Sequence, residues 1–322
     1  MLKPVKNFIK AIPGVKPLLK IRNNIRAEYN YNRHQKMTYD EIEKEISRSF
    51  FKSFRRKLNW DNPQTFNEKI KVSMLYNPTE LKTRLADKVL ARDYISEKLG
   101  DKYLTKIYGV YNSFDEINFE NLPESFVIKC NHDSGGYYLV PDKRKFDIKA
   151  ARKKITKCIN KNYAWYANEM HYKNIPPKIF IEEYINGAMN DYRFFCFDGV
   201  PYYCAIDFHD EKNKIISRNF YNMQWNLQEF SLGYPQHLGS DVPCPENYSE
   251  MQEIAKKLSS GIDQVRIDLY QVKGKIYTGE LTFTHAGGTQ HFLPDEWDFK
   301  MGALWKFDNT IRQKVREKNL KP

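Results

Sequence analysis

The chain has 322 residues, of which 41% are apolar, 15% aromatic and 29% charged, and its formal net charge is +12 at pH 7. That length can bury a large core and divides most readily into two or three lobes. A mean hydropathy of −0.71, with no apolar run approaching the length of a spanning helix, excludes a helical membrane protein and predicts a soluble one.

Residues 1–36 read as a basic arm, with nine Lys or Arg against one acid, Glu28. Leu2, Val5, Phe8, Ile9 and Ile12 recur at helical spacing within it. Such a stripe fits peripheral association with an anionic membrane surface, or equally a helix packed on its own domain with a solvated basic face. Pro4, Pro13 and Pro17 interrupt any apolar core of a secretory leader. Nucleic acid is a weaker partner for this charge, because no zinc finger, RRM signature or basic-plus-heptad pattern accompanies it.

Residues 37–86 predict a helical region. Thr38-Tyr-Asp-Glu41 is a capping-box pattern ahead of Ile42, Ile46 and Phe50, and Thr65 with Glu68 repeats it. A third helix is expected from about Leu85 to Leu99, stopped by Gly100. Strand-like text begins at Lys106–Val110 and returns at Ser125–Cys130, followed by helix over 148–171. Lys178–Ile185, Tyr192–Phe197 and Tyr202–Phe208 then read as strands, and Ser249–Ile262 as a helix. The order is α+β with antiparallel hairpins, unlike a regular βαβ alternation.

The last hairpin carries two acids. Arg266–Tyr270 and Ile276–Thr282 are joined through Lys273-Gly274-Lys275. A three-residue loop puts Asp268 opposite Glu280 and Arg266 opposite Thr282, with Ile267 and Leu281 on the other face. Opposed carboxylates repel, and a divalent cation between them reverses that. A two-residue loop would send the two acids to opposite faces, and a solvated hairpin with scattered charges is the plainer reading.

Other candidate chemistry is spread along the chain. Lys129 ends a strand just before Asn131-His-Asp-Ser134-Gly135-Gly136, where backbone N–H groups and an ammonium can meet phosphate. This is neither a Walker A loop nor a dinucleotide fingerprint, and an ordinary tight turn is its bland alternative. Its echo of the trypsin-type nucleophile loop lacks a disulfide-bearing all-β setting. Asp87-Lys88 at a helix start, and Glu182-Glu183-Tyr184-Ile185 with Asp191 and Arg193 beyond it, are unspecific singly. His285 and His291 flank Gly287-Gly288 at a spacing unlike common zinc pairs. Cys130, Cys158, Cys196, Cys204 and Cys244 are odd in number without a CxxC pair, which favours a reducing cytosol.

Taken in order, Asn62-Pro-Gln-Thr-Phe-Asn-Glu-Lys69, Ala86-Asp-Lys88, Phe126-Val-Ile-Lys129 with its His-Asp-Ser-Gly-Gly loop, Asp191-Tyr-Arg-Phe194 and Gly279-Glu-Leu-Thr-Phe283 resemble the TupA-like family of the ATP-grasp superfamily. The resemblance covers roughly residues 40–300. It implies an ATP-grasp fold, with two α+β lobes over residues 87–187 and 188–322 clasping ATP. Residue by residue, it implies Lys88 and Lys129 on the phosphates, Ser134, Gly135 and Gly136 as a flap, Glu182, Glu183, Tyr184 and Ile185 as the adenine hinge, and Asp191 at the ribose. Asp268 and Glu280 would hold Mg²⁺, with Arg266 beside the transferred phosphoryl group. Thr282 stands where many relatives carry Asn, a weaker ligand position.

The resemblance further implies a ligase that activates a carboxylate as an acyl phosphate and joins it to an amine. The expected partners are a uronic acid of an anionic surface polysaccharide, or its precursor, and an amino acid. The expected place is the cytoplasm, at the inner face of the membrane if the arm binds there. Arg193, Arg218, His285, Gly287 and Gly288 are candidate substrate contacts. Two other readings stay open: a capsule glycosyltransferase with Asp207-x-x-Asp210 as its metal pair, and a non-catalytic basic scaffold.

Overall fold

The structure is a computed structural model that describes residues 15–187, 190–211, 214–237, 242–318 and 322. The apolar stripe Leu2, Val5, Phe8, Ile9 and Ile12, with Pro4 and Pro13, lies outside the described residues. Pro17 falls in the first turn of the helix Val15–His34, where its missing N–H would lack a helical partner anyway. Among the described residues, no helix is long and apolar enough to cross a membrane.

Both expected capping boxes form. Thr38 and Glu41 cap the helix Tyr39–Phe54 reciprocally, and Thr65 and Glu68 do the same for Phe66–Tyr76, each contact adding about 1 kcal/mol to its helix. The first helix buries only one stripe, including Ile42, Ile46 and Phe50, whereas every residue of Phe66–Tyr76 is buried. The helix expected over 85–99 is two helices, Glu80–Ala86 and Leu90–Leu99. Asp87 divides them, because its Oδ1 accepts the Val89 and Leu90 amides at 2.8 and 3.3 Å and so starts a new helix. The helix expected over 148–171 is likewise shorter, Ile148–Ile159, with separate turns Ala164–Ala167 and Met170–Tyr172. Asn168, at φ 60°, breaks the chain between those two turns.

Strands β1 (Ile107–Tyr111), β2 (Phe126–Cys130), β3 (Tyr137–Val140) and β4 (Ile179–Glu183) form an antiparallel sheet in the order β1-β4-β2-β3. Ile148–Ile159 covers one face, with Ala151 and Ile155 against Phe126, Ile128 and Ile181. Further on come β5 (Asn190–Phe197), β6 (Val200–His209), β7 (Ile215–Asn222), β8 (Ser231–Leu232), β9 (Gln264–Val272), β10 (Lys275–Thr282) and β11 (Phe292–Leu293). The main sheet runs β10-β9-β5-β6-β7, all antiparallel, and β8 pairs with β11.

Alternation along these strands separates two chemistries. Phe194, Cys204, Ile206, Val265, Ile267, Leu269 and Leu281 face the helix Tyr248–Ser259. On the opposite face, Phe195, Phe197, Ala205 and Phe220 pack under Phe66, Ile70 and Met74 of the all-buried helix. By the same alternation, that second face also carries Arg193, Asp207, Arg218, Arg266, Asp268, Glu280 and Thr282.

The β9–β10 turn corrects the loop expectation. It has two residues, Lys273 and Gly274, both left-handed at φ 50° and 77°, with Lys275 already paired to Val272. A bulge between Thr278 and Glu280 then inserts Gly279 and restores the pairs Glu280–Asp268 and Thr282–Arg266. The extra residue reverses the facing of everything beyond it. At Gly279 a Cβ would stand 3.1 Å from the Asp268 carbonyl oxygen.

Candidate active site

Two cavities meet over the polar part of the main sheet. The smaller, of about 250 Å³, is lined by Lys88, Lys129, Glu182, Asp191, Arg193, Asp268 and Glu280 among others. The larger, of about 570 Å³, takes in Ser134, Arg193, Arg218, Arg266, Glu280, Thr282, His285 and Gly287. Arg193 and Glu280 belong to both walls. An outer hollow lined by Glu183 and Lys106 adjoins the smaller cavity through Arg92, Leu104 and Thr105.

Local hydrogen bonding brings the two lysines together. Asn131, just after β2, donates to Asp87 Oδ2 at 2.9 Å and to the Pro176 carbonyl at 3.0 Å. Its own carbonyl accepts the Lys88 amide at 3.0 Å. Lys88 reaches the Asp133 carbonyl in the glycine loop, and Lys129 pairs with Glu182 across the neighbouring strand. Thr105 Oγ1 also donates to Glu182 at 2.9 Å. In the loop, the Gly136 amide donates to Asp133 Oδ1 at 3.1 Å, and Gly135 turns through φ 97°.

The larger cavity has a wall of arginines, each joined to a sheet carboxylate. Arg193 and Arg218 both hold Asp207, Arg218 Nη2 at 3.0 Å, and Arg193 lies 3.7 Å from Asp268. Arg266 grips Asp268 with two bonds of 2.6 Å and donates to Thr282 Oγ1 at 3.1 Å. It also donates to His285 Nδ1, while His285 Nε2 donates to Gln290 Oε1 at 2.9 Å, the tautomer a neutral ring requires. Burial and the neighbouring Arg266 hold His285 well below its usual value, so the ring stays neutral. Burial alone would lower Arg266, but the Asp268 charge and hydrogen bonds raise it above its ordinary value. Burial lowers Arg218 to about 10 and lowers Arg193 too, and burial raises Asp191.

Asp268 and Glu280 are a fit pair for a small hard cation. They are registered opposite one another, and both line the smaller cavity. Arg266 occupies one edge of Asp268, leaving further lone pairs. The described residues hold no group of three or more His, Cys, Asp or Glu arranged around a metal. Magnesium is commonly held by one or two carboxylates with water and phosphate oxygens completing its shell. The Thr282 hydroxyl is engaged by Arg266.

Several expected residues stand elsewhere. Tyr184, Ile185, Gly135, Gly136 and Gly288 line neither of these two cavities, and Glu183 faces the outer hollow. Gly288 is a packing position, where a Cβ would come 2.9 Å from the Asn67 carbonyl oxygen. His291 bonds Ser53 at 2.9 Å and packs on Phe54, apart from His285. Asp207 is engaged by two arginines, and Asp210 accepts the Lys214 amide at 2.9 Å in a turn, so they form no metal pair.

Among the lining residues that escaped the sequence reading, two carry charge in the larger cavity: Lys71, on the buried helix, and Glu169, before the Met170–Tyr172 turn. Burial lowers Lys71 to about 8, with Glu169 opposing, and raises Glu169 to about 7 against the Thr284 hydrogen bond and Lys71. Lys69 and Lys71 lie two apart in a helix whose residues are all buried, although its local sequence, with Asn67, Glu68 and Ser73, reads like that of a helix with a solvated face.

An antiparallel sheet carrying opposed acids, with two lysines and a glycine loop delivered from a second sheet, defines an ATP-grasp type of protein. The sequence profile described as TupA-like ATPgrasp matches residues 68–306, and the chain belongs to that family. No curated protein matches the chain. Solved structures similar to it include N5-carboxyaminoimidazole synthetase from Staphylococcus aureus complexed with ADP, at 10% identity over 62% of this chain and 44% of that one, TM-score 0.41. D-alanine–D-alanine ligase from Bacillus anthracis complexed with ATP shares 15% identity over 73% of this chain and 67% of that one, TM-score 0.40. An L-amino acid ligase from Bacillus licheniformis shares 13% over 82% and 61%, TM-score 0.43. The chain thus spans less than two thirds of the synthetase and of the L-amino acid ligase.

Proposed function

We propose that the chain is an ATP-dependent carboxylate–amine ligase, with ATP in the smaller cavity and the molecules to be joined in the larger. The observation that carries this reading is the shared wall. Arg193 and Glu280 border both cavities, so a phosphate entering beside Lys88 and Lys129 would end next to the arginine-lined space.

Lys88 and Lys129 are the phosphate cations, and the Ser134-Gly135-Gly136 loop is the flap over them. The adenosine extends toward the outer hollow past Arg92 and Thr105, near Glu182 and Glu183. Asp268 and Glu280 would hold Mg²⁺, which offsets charge between ATP and an anionic carboxylate. Arg266 is aligned by Asp268, Thr282 and His285 so that its fixed charge meets the phosphoryl group in transfer. The carboxylate belongs to a uronic acid of a surface polysaccharide or its precursor, the amine to an amino acid, and the intermediate is an acyl phosphate. The net charge of +12 supports an anionic acceptor. The enzyme works in the cytoplasm, with the basic N-terminal arm on the inner face of the membrane.

The test incubates the protein with Mg-ATP, a uronic-acid glycan and mixed amino acids, and follows ADP, phosphate and the mass of the amide. ADP and amide formation, lost with EDTA and in Glu280→Gln, is the expected outcome. Turnover of a sugar nucleotide without ADP, or Glu280→Gln indistinguishable from wild type, would overturn the reading.

A further inference from the structure

The helices around the larger cavity bury three lysines, and two of them have obvious partners. Lys69 donates to the carbonyls of Gly302 and Trp305 at 2.8 and 2.7 Å. Lys82 lies 3.1 Å from Asp263 Oδ1 and 3.5 Å from Ser73 Oγ. Lys71 is 7% exposed and opens onto the cavity, yet among the described residues none accepts a hydrogen bond from it or forms an ion pair within 4.0 Å. A buried ammonium with three unused donors is costly unless something arrives to accept them.

Glu169 shares that part of the cavity. It is 7% exposed, and its Oε2 accepts the Thr284 hydroxyl with His171 Nε2 3.9 Å away. His171 brings no charge, because burial and Lys82 lower it to about 3. The arginines across the cavity differ from this pair, since each is already paired with Asp207 or Asp268. Among the described residues lining this cavity, Lys71 and Glu169 are therefore opposite charges with bonding capacity left over, as is Glu280 on the wall shared with the smaller cavity.

We propose that Lys71 and Glu169 form the seat of a zwitterionic α-amino acid, Lys71 taking its carboxylate and Glu169 its ammonium. This rests on the ligase reading and names the residues that select its amino acid. A zwitterion satisfies both groups at once, whereas a simple amine leaves Lys71 bare and a simple carboxylate leaves Glu169 bare. Tyr163 and Tyr172 line the same end, and Glu280, on the wall shared with the smaller cavity, lies close enough to act on Glu169 electrostatically. Consistent with this, burial leaves Lys71 and Glu169 at about 8 and about 7, so near neutrality Lys71 is mostly charged and Glu169 is about half charged until a counter-charge arrives.

The test is calorimetric titration of the full chain with L-alanine, L-glutamate, ethylamine and propionate, in the presence of Mg-ADP. An amino acid should bind at least about tenfold more tightly than ethylamine or propionate, as the loss of a charge-assisted contact implies. Lys71→Met should bring the affinity for alanine down to that for ethylamine, and Glu169→Gln down to that for propionate. Mg-ADP affinity should stay within about twofold in both variants, which also reports that they fold. Equal binding of all four probes by wild type, or undiminished alanine binding in both variants, overturns the proposal. Failure of wild type to bind Mg-ADP would instead strike the nucleotide reading, and the amino-acid titration without ADP remains a separate measurement.

Discussion

Replacing Lys71 by Met is the most informative single change, because its structural and its ligand-binding roles predict opposite signs of stability. The folded chain holds this ammonium at about 8 against an ordinary 10.5, burial being the main cause. At one pKa unit per 1.36 kcal/mol, the charged form is disfavoured by about 3 kcal/mol. The folded state binds the proton less tightly than the unfolded one, so stability rises with pH from about 8 to 10.5, and below 8 the whole penalty is present. Met fills a similar volume without a charge, and Glu169, left alone, can protonate near neutrality. Lys71→Met should therefore stabilise the protein at pH 7 by about 3 kcal/mol. With an unfolding entropy of roughly 2.1 cal/mol/K per residue over 322 residues, that is about 4–5 °C in Tm. Urea unfolding at pH 7, 8, 9 and 10.5 should show the gap between variant and wild type closing as pH rises. A variant less stable than wild type at pH 7, or a gap independent of pH, would refute the reasoning by showing that the ammonium is held by the fold itself.

Glu169→Gln is the acidic counterpart. Burial raises the wild-type carboxyl from 4.5 to about 7, so the folded state binds protons more tightly and stability falls as pH rises between those values, by about 3 kcal/mol; urea midpoints of the variant should lack that fall. Lys129→Met removes a proposed phosphate cation and leaves Glu182 with Thr105 and a distant Arg92; steady-state kinetics should show the KM for ATP raised about 10- to 100-fold. Asp207→Asn strips the shared partner from buried Arg218 and half-buried Arg193; it should cost about 3–5 kcal/mol in unfolding free energy, and an unchanged urea midpoint would show the two arginines to be held by other contacts.

Much of the fold was legible because the chain's local signals agree with one another. Both capping boxes, the Gly100 stop and the strand runs at Phe126–Cys130 and Tyr192–Phe197 appear where spacing puts them. The misplaced boundaries have one physical origin. Asp87 and Asn168 interrupt text of helical composition through a side-chain cap and a left-handed backbone, and neither leaves a trace in apolar periodicity. Lys71 and Glu169 were illegible for a different reason. Nothing local distinguishes a buried lysine from a solvated one, and its environment is built from segments as distant as Thr284 and Tyr163.

The hairpin shows how a wrong premise can reach a right pairing. The carboxylates face each other only if the residues between them on the β10 side include an odd one out. The expected place for it was the turn, as a third loop residue. In the fold that residue is Gly279, inserted beside the acid it serves. The location has consequences that a longer turn would not have. A bulge raises local twist and re-aims the side chains next to it, so Glu280 is directed by its own neighbour and not by a flexible tip seven residues upstream. It also frees the Lys273-Gly274 turn to take the tight left-handed pair that suits strand twist. Glycine is suited to the bulge because the Asp268 carbonyl crowds that site, at 3.1 Å from where a Cβ would be. The same short stretch thus supplies the acid and the backbone irregularity that aims it, and the Gly279-Glu280 dipeptide is better read as one unit than as a metal ligand with an incidental glycine.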